Sequence, residues 1–532
     1  MNQPVGTITY KPMNITVGSY RIQTLGFAAG TSAATVPAPT IRFTACSQYR
    51  LTLINSAGTA STDTSSTTNL HLHGAHVSGD SPADDISIAV ASGKQQPPPA
   101  RSYVALAAAA QAAAACTSSI LFIGWLRSVR YGPTKMWLPP ATPAGRSFIY
   151  TYNIPCDHAG GTFFYHPHVH MQTAVQVAGG AVGALIMADQ ALEMTSRPAS
   201  WPSMPQHVLV LLRTMVSCTW LKTFGTAPAG QFYLANGAYM PTLSIGNANK
   251  WYRLRMVHAS LDSMGVLFNV QPLSGTGTGA CQVQLLGRDG VLLPITPRPL
   301  TASGTVTPLL FATAATRADV AISCPCSSGT CSYSVLQGTT TVATLTVTAS
   351  PSSSAPPTLT PWKPCRPYYL QDLRNLAVQA RRTVSLAPDA INNLKYDPAN
   401  PQFNFTIKTV QEWGITNVNA HPFHLHISPF QLVNQVPTGG PANWFALGDW
   451  QDTLASGNAT NQGGIIVDLT YPSPCCFNPS IRFRTEFVGK VIVHCHILTH
   501  EDAGAMALTK SIGTGGVTAA MISTSLSFVC PP

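Results

Sequence analysis

The chain has 532 residues, enough for two to four domains. Only 9% are Asp, Glu, Lys or Arg, against about 25% in an average soluble domain. Thr, Ser, Gly, Pro and Val fill the gap, a composition suited to many short strands and turns. The net charge of +10, from 30 Lys+Arg against 20 Asp+Glu, reflects scarce acids, and without a Lys/Arg run it argues against nucleic acid as a partner.

Residues 1–90 read as strands, because VGTITYKPMNITVGSYRIQTLGF alternates β-branched and polar residues. NLHLHGAH then supplies His71 and His73, and SGDSPADD supplies Asp84 and Asp85. Residues 93–145 fit no neighbouring pattern. They include QPPPARS and a run, uncharged from Ser102 to Leu126, long enough to cross a membrane as a helix. A single crossing would separate His73 from His168, whose two clusters must bind the same metal centre, so no membrane span is assigned. An Ala-rich surface helix, a disordered insertion and wrongly translated non-coding sequence stay open. From Ser147 the strand pattern resumes, and FFYHPHVH supplies His166, His168 and His170. VAGGAVGALIM closes a first domain, 1–192, and SRPASWPSMPQ reads as a linker. A second β domain spans 205–350, where His258 is read as a structural histidine. A Ser/Pro-rich linker near 350–362 leads to a third domain, 363–532. This last stretch contains NAHPFHLH, with His421, His424 and His426, and VIVHCHILTHEDAGAM, with His494, Cys495, His496 and His500.

Side chains on a strand alternate faces. His494 and His496 therefore point one way and Cys495 the other, so one strand can serve two metal sites. His424 and His426 likewise share a face, while His421 is out of phase and becomes the natural partner of Cys495. Beyond the strand, His500 can curl back to the same ion. A thiolate with imidazoles and a weak or absent axial ligand is the donor set of a blue copper site. Of 15 His, ten lie at the positions these motifs need, leaving His76, His158, His170, His207 and His258. Of 13 Cys, Cys495 is assigned to metal and 12 remain. Cys324, Cys326 and Cys331 cluster, and Cys475 adjoins Cys476, without the spacing of a zinc site, so disulfides in an oxidising compartment are expected. Sequons at Asn14, Asn404 and Asn458 agree with a secreted origin, although MNQPVGTITYKP has no basic-plus-apolar signal segment.

In this order the four clusters resemble the copper motifs of the multicopper oxidases, the family of laccases, bilirubin oxidases, ascorbate oxidases and ferroxidases. The family patterns HxHG, HxH, HPxHLHGH and HCHxxxH read here as HLHG, HPH, HPFHLHIS and HCHILTH, with Ile427-Ser428 in place of Gly-His after the last ligand of the third. The resemblance implies an all-β fold of three cupredoxin-like Greek-key domains in tandem, the middle one without copper ligands. It implies four copper ions. Type 1 copper would be held by His421, Cys495 and His500, and type 2 by His71 and His424. The type 3 pair would be held by His73, His166, His168, His426, His494 and His496. It also implies carboxylates at Asp84, with Asp85 as the fallback, and at Glu501, as proton relays near the three-copper site.

The implied reaction couples four one-electron oxidations of a small reducing substrate to reduction of O₂ to water, with Cys495, His494 and His496 carrying the electrons. Laccase-like oxidation of phenols or aromatic amines is the leading expectation. A metallo-oxidase for Fe(II), Mn(II) or Cu(I) would need carboxylate or Met clusters beside the type 1 site, and acids are few. A non-catalytic copper-binding cupredoxin protein is the reading from another class. The family's axial residue falls at Ala505 here, with Met506 next to it; either copper has no axial sulfur or a one-residue shift brings Met506 to the metal.

Overall fold

A computed structural model describes residues 5–58, 67–92, 142–143, 146–214, 222–224, 232–273, 279–350, 355–455, 479–524 and 528–530. Nearly the whole 93–145 stretch, Asn458 and four of the cysteines (Cys116, Cys218, Cys475 and Cys476) lie outside those residues. Among the described residues the protein is almost entirely β, as expected. The α-helices there are α1, Thr173–Ala178, and α2, Leu498–Ala503, and no helix is long and apolar enough to cross a membrane.

Three pairs of sheets follow one another along the chain. The first pair joins a sheet ordered Lys222–Phe224, Tyr20–Ala29, Val5–Val17, Ser47–Asn55, Ser147–Ile154 to one ordered Ala38–Phe43, Gly183–Met187, Gly161–His166, His71–His73. The alternation read in the sequence holds at its outer hairpin, where Met13, Ile15, Val17, Tyr20 and Ile22 are buried and Asn14, Thr16, Arg21 and Gln23 are exposed. Lys222–Phe224, from beyond the first linker, pairs antiparallel with residues 21–23 and so completes this sheet from the next segment. The second pair packs Leu254, Phe268, Leu285, Val320 and Tyr333 into one core, and the third packs Trp413, Ile415, Phe423, Phe483 and Val493 into another. Burying each such side chain contributes about 1.5–3 kcal/mol. Disulfides Cys46–Cys156, Cys281–Cys324, Cys326–Cys331 and Cys365–Cys530 form, and Cys495 is the free cysteine among the described residues.

Alternation fails on strands covered on both faces. All of Tyr252–His258 and Arg317–Ser323 is buried, although these strands include Arg253, Arg255 and Asp319. Arg253 Nε donates to Asp319 Oδ2 at 2.9 Å, and Arg253 Nη1 donates to Asp189 Oδ2 at 2.6 Å. Arg255 Nη1 bonds Asp319 Oδ2 at 3.1 Å and Thr162 Oγ1 at 3.0 Å. Two cations and two anions thus pin the first sheet pair to the second. Burial alone would raise the Asp319 carboxyl, but Arg253 and Arg255 hold it below the ordinary range. Removing one partner of such a buried group strands the others and costs about 3–5 kcal/mol. We therefore expect Asp319→Ala to lower the midpoint of the first urea transition clearly; an unchanged midpoint would show that Asp189 alone satisfies both arginines.

Candidate metal centre

Strand pairing aligns the histidines. His71–His73 lies antiparallel to Gly161–His166, with His71 opposite His166. Phe423–Leu425 lies antiparallel to Gly489–Cys495, with His424 opposite His494 and Phe423 opposite Cys495. Backbone bonds from His426 N to Ile492 O (3.0 Å) and His496 N to Pro422 O (2.7 Å) extend that ladder at both ends. The period of two therefore sends His424, His426, His494 and His496 to one side of the sheet and Cys495 to the other.

His71, His73, His166, His168, His424, His426, His494 and His496 converge in one pocket, each at most 2% exposed. The rings of His73 and His424 stack at 3.8 Å and those of His71 and His426 at 4.2 Å. His494 Nε2 lies 3.1 Å from His426 Nε2 and 3.3 Å from His168 Nε2, and His166 Nε2 lies 3.4 Å from His73 Nδ1. The outer nitrogens fix the tautomers. His71 Nδ1 donates to Asp84 Oδ2 (2.7 Å) and His424 Nδ1 to the Asp452 carbonyl (2.8 Å). His166 Nδ1 donates to the Pro167 carbonyl (2.8 Å) and His494 Nδ1 to the Cys495 carbonyl (3.1 Å). That leaves the Nε2 lone pairs of these four rings aimed inward, while His73 turns its Nδ1 toward His166, and the buried Nε2 atoms of His71, His424 and His496 have no hydrogen-bond partner. Lone pairs crowded at these distances repel unless a cation lies between them. Burial first, and neighbouring imidazoles second, keep His168, His424, His426 and His496 far below the usual imidazole range. Neutral imidazole is the form that binds metal, so the pocket fits a metal cluster. Triplets that could hold an ion, such as His71–His168–His426 and His424–His426–His494, mix residues of the expected type 2 and type 3 sets.

On the other side of the strand Cys495 Sγ lies 3.5 Å from His421 Nδ1 and 3.6 Å from His500 Nδ1, and the two nitrogens are 3.2 Å apart. The circle through three atoms at those separations has a radius of about 2.0 Å, the length of a metal–imidazole bond. Cys495 is fully buried, and burial drives its thiol well above the usual range, so a thiolate there needs a bound cation. Burial lowers His421 to about 4; burial, then His421, lowers His500 to about 3. His500 alone of the three is partly exposed, which makes it the edge of the site facing solvent. Two donor sets, joined by one strand, thus fit metal.

Asp84 bonds His71 and also accepts the Leu72 amide at 2.8 Å, whereas Asp85 turns to Lys490 at 2.7 Å. Glu501, in α2, is fully buried with Oε1 3.3 Å from His168 Nδ1 and Oε2 3.2 Å from His494 Nδ1. Its neighbour Asp502 accepts the amides of Thr173 (3.1 Å) and Ala174 (2.9 Å) at the start of α1. His170 stands apart, beside Tyr396, and His258 Nδ1 bonds the Thr313 carbonyl at 2.9 Å within the second core. Sequence reasoning missed Asp452, whose Oδ1 lies 3.4 Å from His73 Nε2 and 3.6 Å from His424 Nδ1. Arg317, from the middle segment, grips both Asp452 carboxylate oxygens, Nη1 to Oδ1 at 2.8 Å, with Asp289 at 3.6 Å. The Gly of HLHG, Gly74, makes room for this pair: its φ is +85°, and a Cβ there would strike Arg317 and Asp452.

Ala505 packs with Cys495 and Ile497, and its carbonyl accepts the Cys495 amide at 3.0 Å. Met506 is paired with His494 and packs with Ile86, Ile492 and Leu508, away from Cys495.

A tandem cupredoxin-type β protein with a thiolate–imidazole site and a histidine cluster is the class that fold and geometry define. Models of the family described as "Multicopper oxidase" match residues 363–511, which include the third and fourth clusters, and residues 134–191, which include His166 and His168. The second match begins inside the 93–145 stretch. An L-ascorbate oxidase of Nicotiana tabacum is 28% identical over 148 residues, 23% of this chain and 25% of that protein. Laccase-5 of Trametes versicolor is 27% identical over 136 residues, 25% of this chain and 22% of that protein. The chain thus matches only about a quarter of either relative's length. The crystal structure of a multi-copper oxidase from Pseudomonas thermotolerans superposes with a TM-score of 0.61 at 16% identity, covering 96% of this chain and 99% of that one. Two stretches of the chain, residues 134–191 and 363–511, thus match the multicopper oxidase family.

Proposed function

We propose that this protein is a laccase-like oxidase that couples four one-electron oxidations of a phenol or aromatic amine to the reduction of O₂ to two waters. The single observation that carries the reading is Cys495, on one face of its strand, flanked by His494 and His496 on the other. We assign His421, Cys495 and His500 to type 1 copper, and His71 and His424 to type 2. His73, His166, His168, His426, His494 and His496 are assigned to the type 3 pair. In this reading domains at 1–192 and 363–532 supply the ligands, and 205–350 supplies none.

Copper held by these donors supplies one-electron redox chemistry at Cys495 and a place for O₂ at the histidine cluster. Everything else is the chain's own work. A donor needs only to reach the part-exposed His500 edge; from there Cys495 has a covalent path to His494 and His496. Reduction of O₂ also takes four protons. Asp84 at His71 Nδ1, and Glu501 beside His168 and His494, are the carboxylates we assign to hold and pass them. The four disulfides among the described residues support a further proposal, that the protein works in an oxidising compartment such as the cell exterior.

The test is copper content and the visible spectrum of the copper-loaded protein, then oxygen uptake with a phenol and with Fe(II). About four coppers per chain, an intense blue band and preference for the phenol are expected. Preference for Fe(II) would make it a metallo-oxidase, and a colourless protein would favour a non-catalytic copper binder. Because Met506 packs away from Cys495, Met506→Leu should leave the type 1 potential unchanged; a clear rise would show that Met506 reaches the metal after all.

A further inference from the structure

The Cys495 site has a wall that the third domain does not supply. Ala505 packs against Cys495 and Ile497 with a single methyl group, which offers no donor atom to a metal. The partly buried hydrophobic residue packed against this trio is Met264, from the middle segment. Met264 sits in the loop between Tyr252–His258 and Val266–Pro272. That loop is held on both sides. The Leu498 amide, at the start of α2, donates to the Leu261 carbonyl at 2.9 Å, and the Ala314 amide donates to the Ser263 carbonyl at 2.8 Å. Gly265 follows with φ +56°, turning the chain immediately after Met264. Leu261 and Leu498 are buried together in one small core, which ties the loop to the helix by packing as well. A flexible thioether, on a loop held by backbone bonds, thus packs against the cluster of Cys495, Ile497 and Ala505, where the third domain's own wall is an alanine.

We propose that Met264 closes the copper site that Ala505 leaves open, supplying from the middle segment the weak axial sulfur donor for an ion held by His421, Cys495 and His500. The proposal rests on the copper reading above. Thioether sulfur is a soft donor suited to this ion, and the axial ligand tunes the potential of thiolate–imidazole copper. Met264 is itself partly exposed, so the same side chain also limits water entry beside Cys495.

The experiment is a redox titration of the type 1 copper, followed by its blue band and its paramagnetic resonance spectrum, in wild type, Met264→Leu and Met264→Gln. All are compared as the full copper-loaded chain. Leu removes the donor and keeps the bulk; it should shift the exchange equilibrium with a one-electron mediator toward reduced copper by roughly tenfold. Gln offers an oxygen in place of sulfur and should shift it the opposite way. A pair of shifts of opposite sign, with the blue band retained, is the expected result. Equal potentials in all three proteins would overturn the proposal, as would a changed KM for the phenol with no change in potential, which would make Met264 a substrate contact. A wild-type protein lacking the blue band would instead overturn the copper reading itself.

Discussion

Cys495→Ser should abolish the intense blue band and reduce oxygen uptake with a phenol far more than the 10–100-fold typical of losing a residue behind a metal ligand. The thiol is fully buried and 3.5–3.6 Å from two imidazole nitrogens. A serine hydroxyl is isosteric enough to preserve packing, but it is a hard, weakly acidic donor that does not stabilise copper in its reduced form. The variant should therefore fold, and its copper content should fall by about one ion, the others staying in the histidine pocket. That split is the informative part. If Cys495→Ser kept full turnover, electrons would be entering the histidine cluster by another route and the assignment of His421, Cys495 and His500 would be wrong. If it lost all copper, the two sites would not be separable.

Gly74→Ala should damage the metal pocket with a single methyl group. The position has φ +85°, a backbone conformation that costs a non-glycine residue about 1–3 kcal/mol. The added Cβ would also meet the Arg317 guanidinium and the Asp452 carboxylate. Both are fully buried, so neither can swing into solvent. Prising such a pair apart leaves an uncompensated charge and costs about 3–5 kcal/mol. His73 adjoins Gly74 in the chain, and its Nε2 lies 3.4 Å from Asp452, so the strain falls on the metal pocket. We expect a lower thermal midpoint together with incomplete copper loading while the blue band survives. Asp452→Asn keeps the shape and removes the charge. If it lowers copper loading as well, the electrostatics matter; if it does not, the Gly74→Ala effect is steric.

What could be read from the chain and what could not follow from different physics. The metal sites are written in local order: His-x-His on a strand and a Cys between two histidines carry their geometry in a period of two. His421, Cys495 and His500 come together because Phe423 and Cys495 are cross-strand partners, a consequence of that period. Asp84 could be singled out from Asp85 only by analogy, because adjacent carboxylates differ in which face of a turn they occupy; here Lys490 takes Asp85. Arg317, Asp289 and Asp452 left no trace in the sequence. They are separated by up to 163 residues, come from two segments, and meet only when the sheets pack. Nor did alternation announce the buried strand with Arg253 and Arg255, since a charged residue facing a neighbouring sheet looks, in sequence, like one facing water. Where Ala505 and Met506 point could be read only from register, which sets Met506 opposite His494, on the face away from Cys495.

The strand Lys222–Phe224 has a consequence for synthesis. It caps the outer edge of the first sheet, along Arg21–Gln23, although it is encoded past the first linker. While the ribosome is still adding residues before 224, the nascent chain carries a hairpin whose free hydrogen-bonding groups are an invitation to another nascent chain. A fragment cut at the linker would keep that raw edge permanently. The first β unit is therefore a poor choice for expression by itself, and a piece extended only through Phe224 would cover that edge but strip Gln206–Thr214 of its partners Phe232–Ala235 and Tyr252–His258.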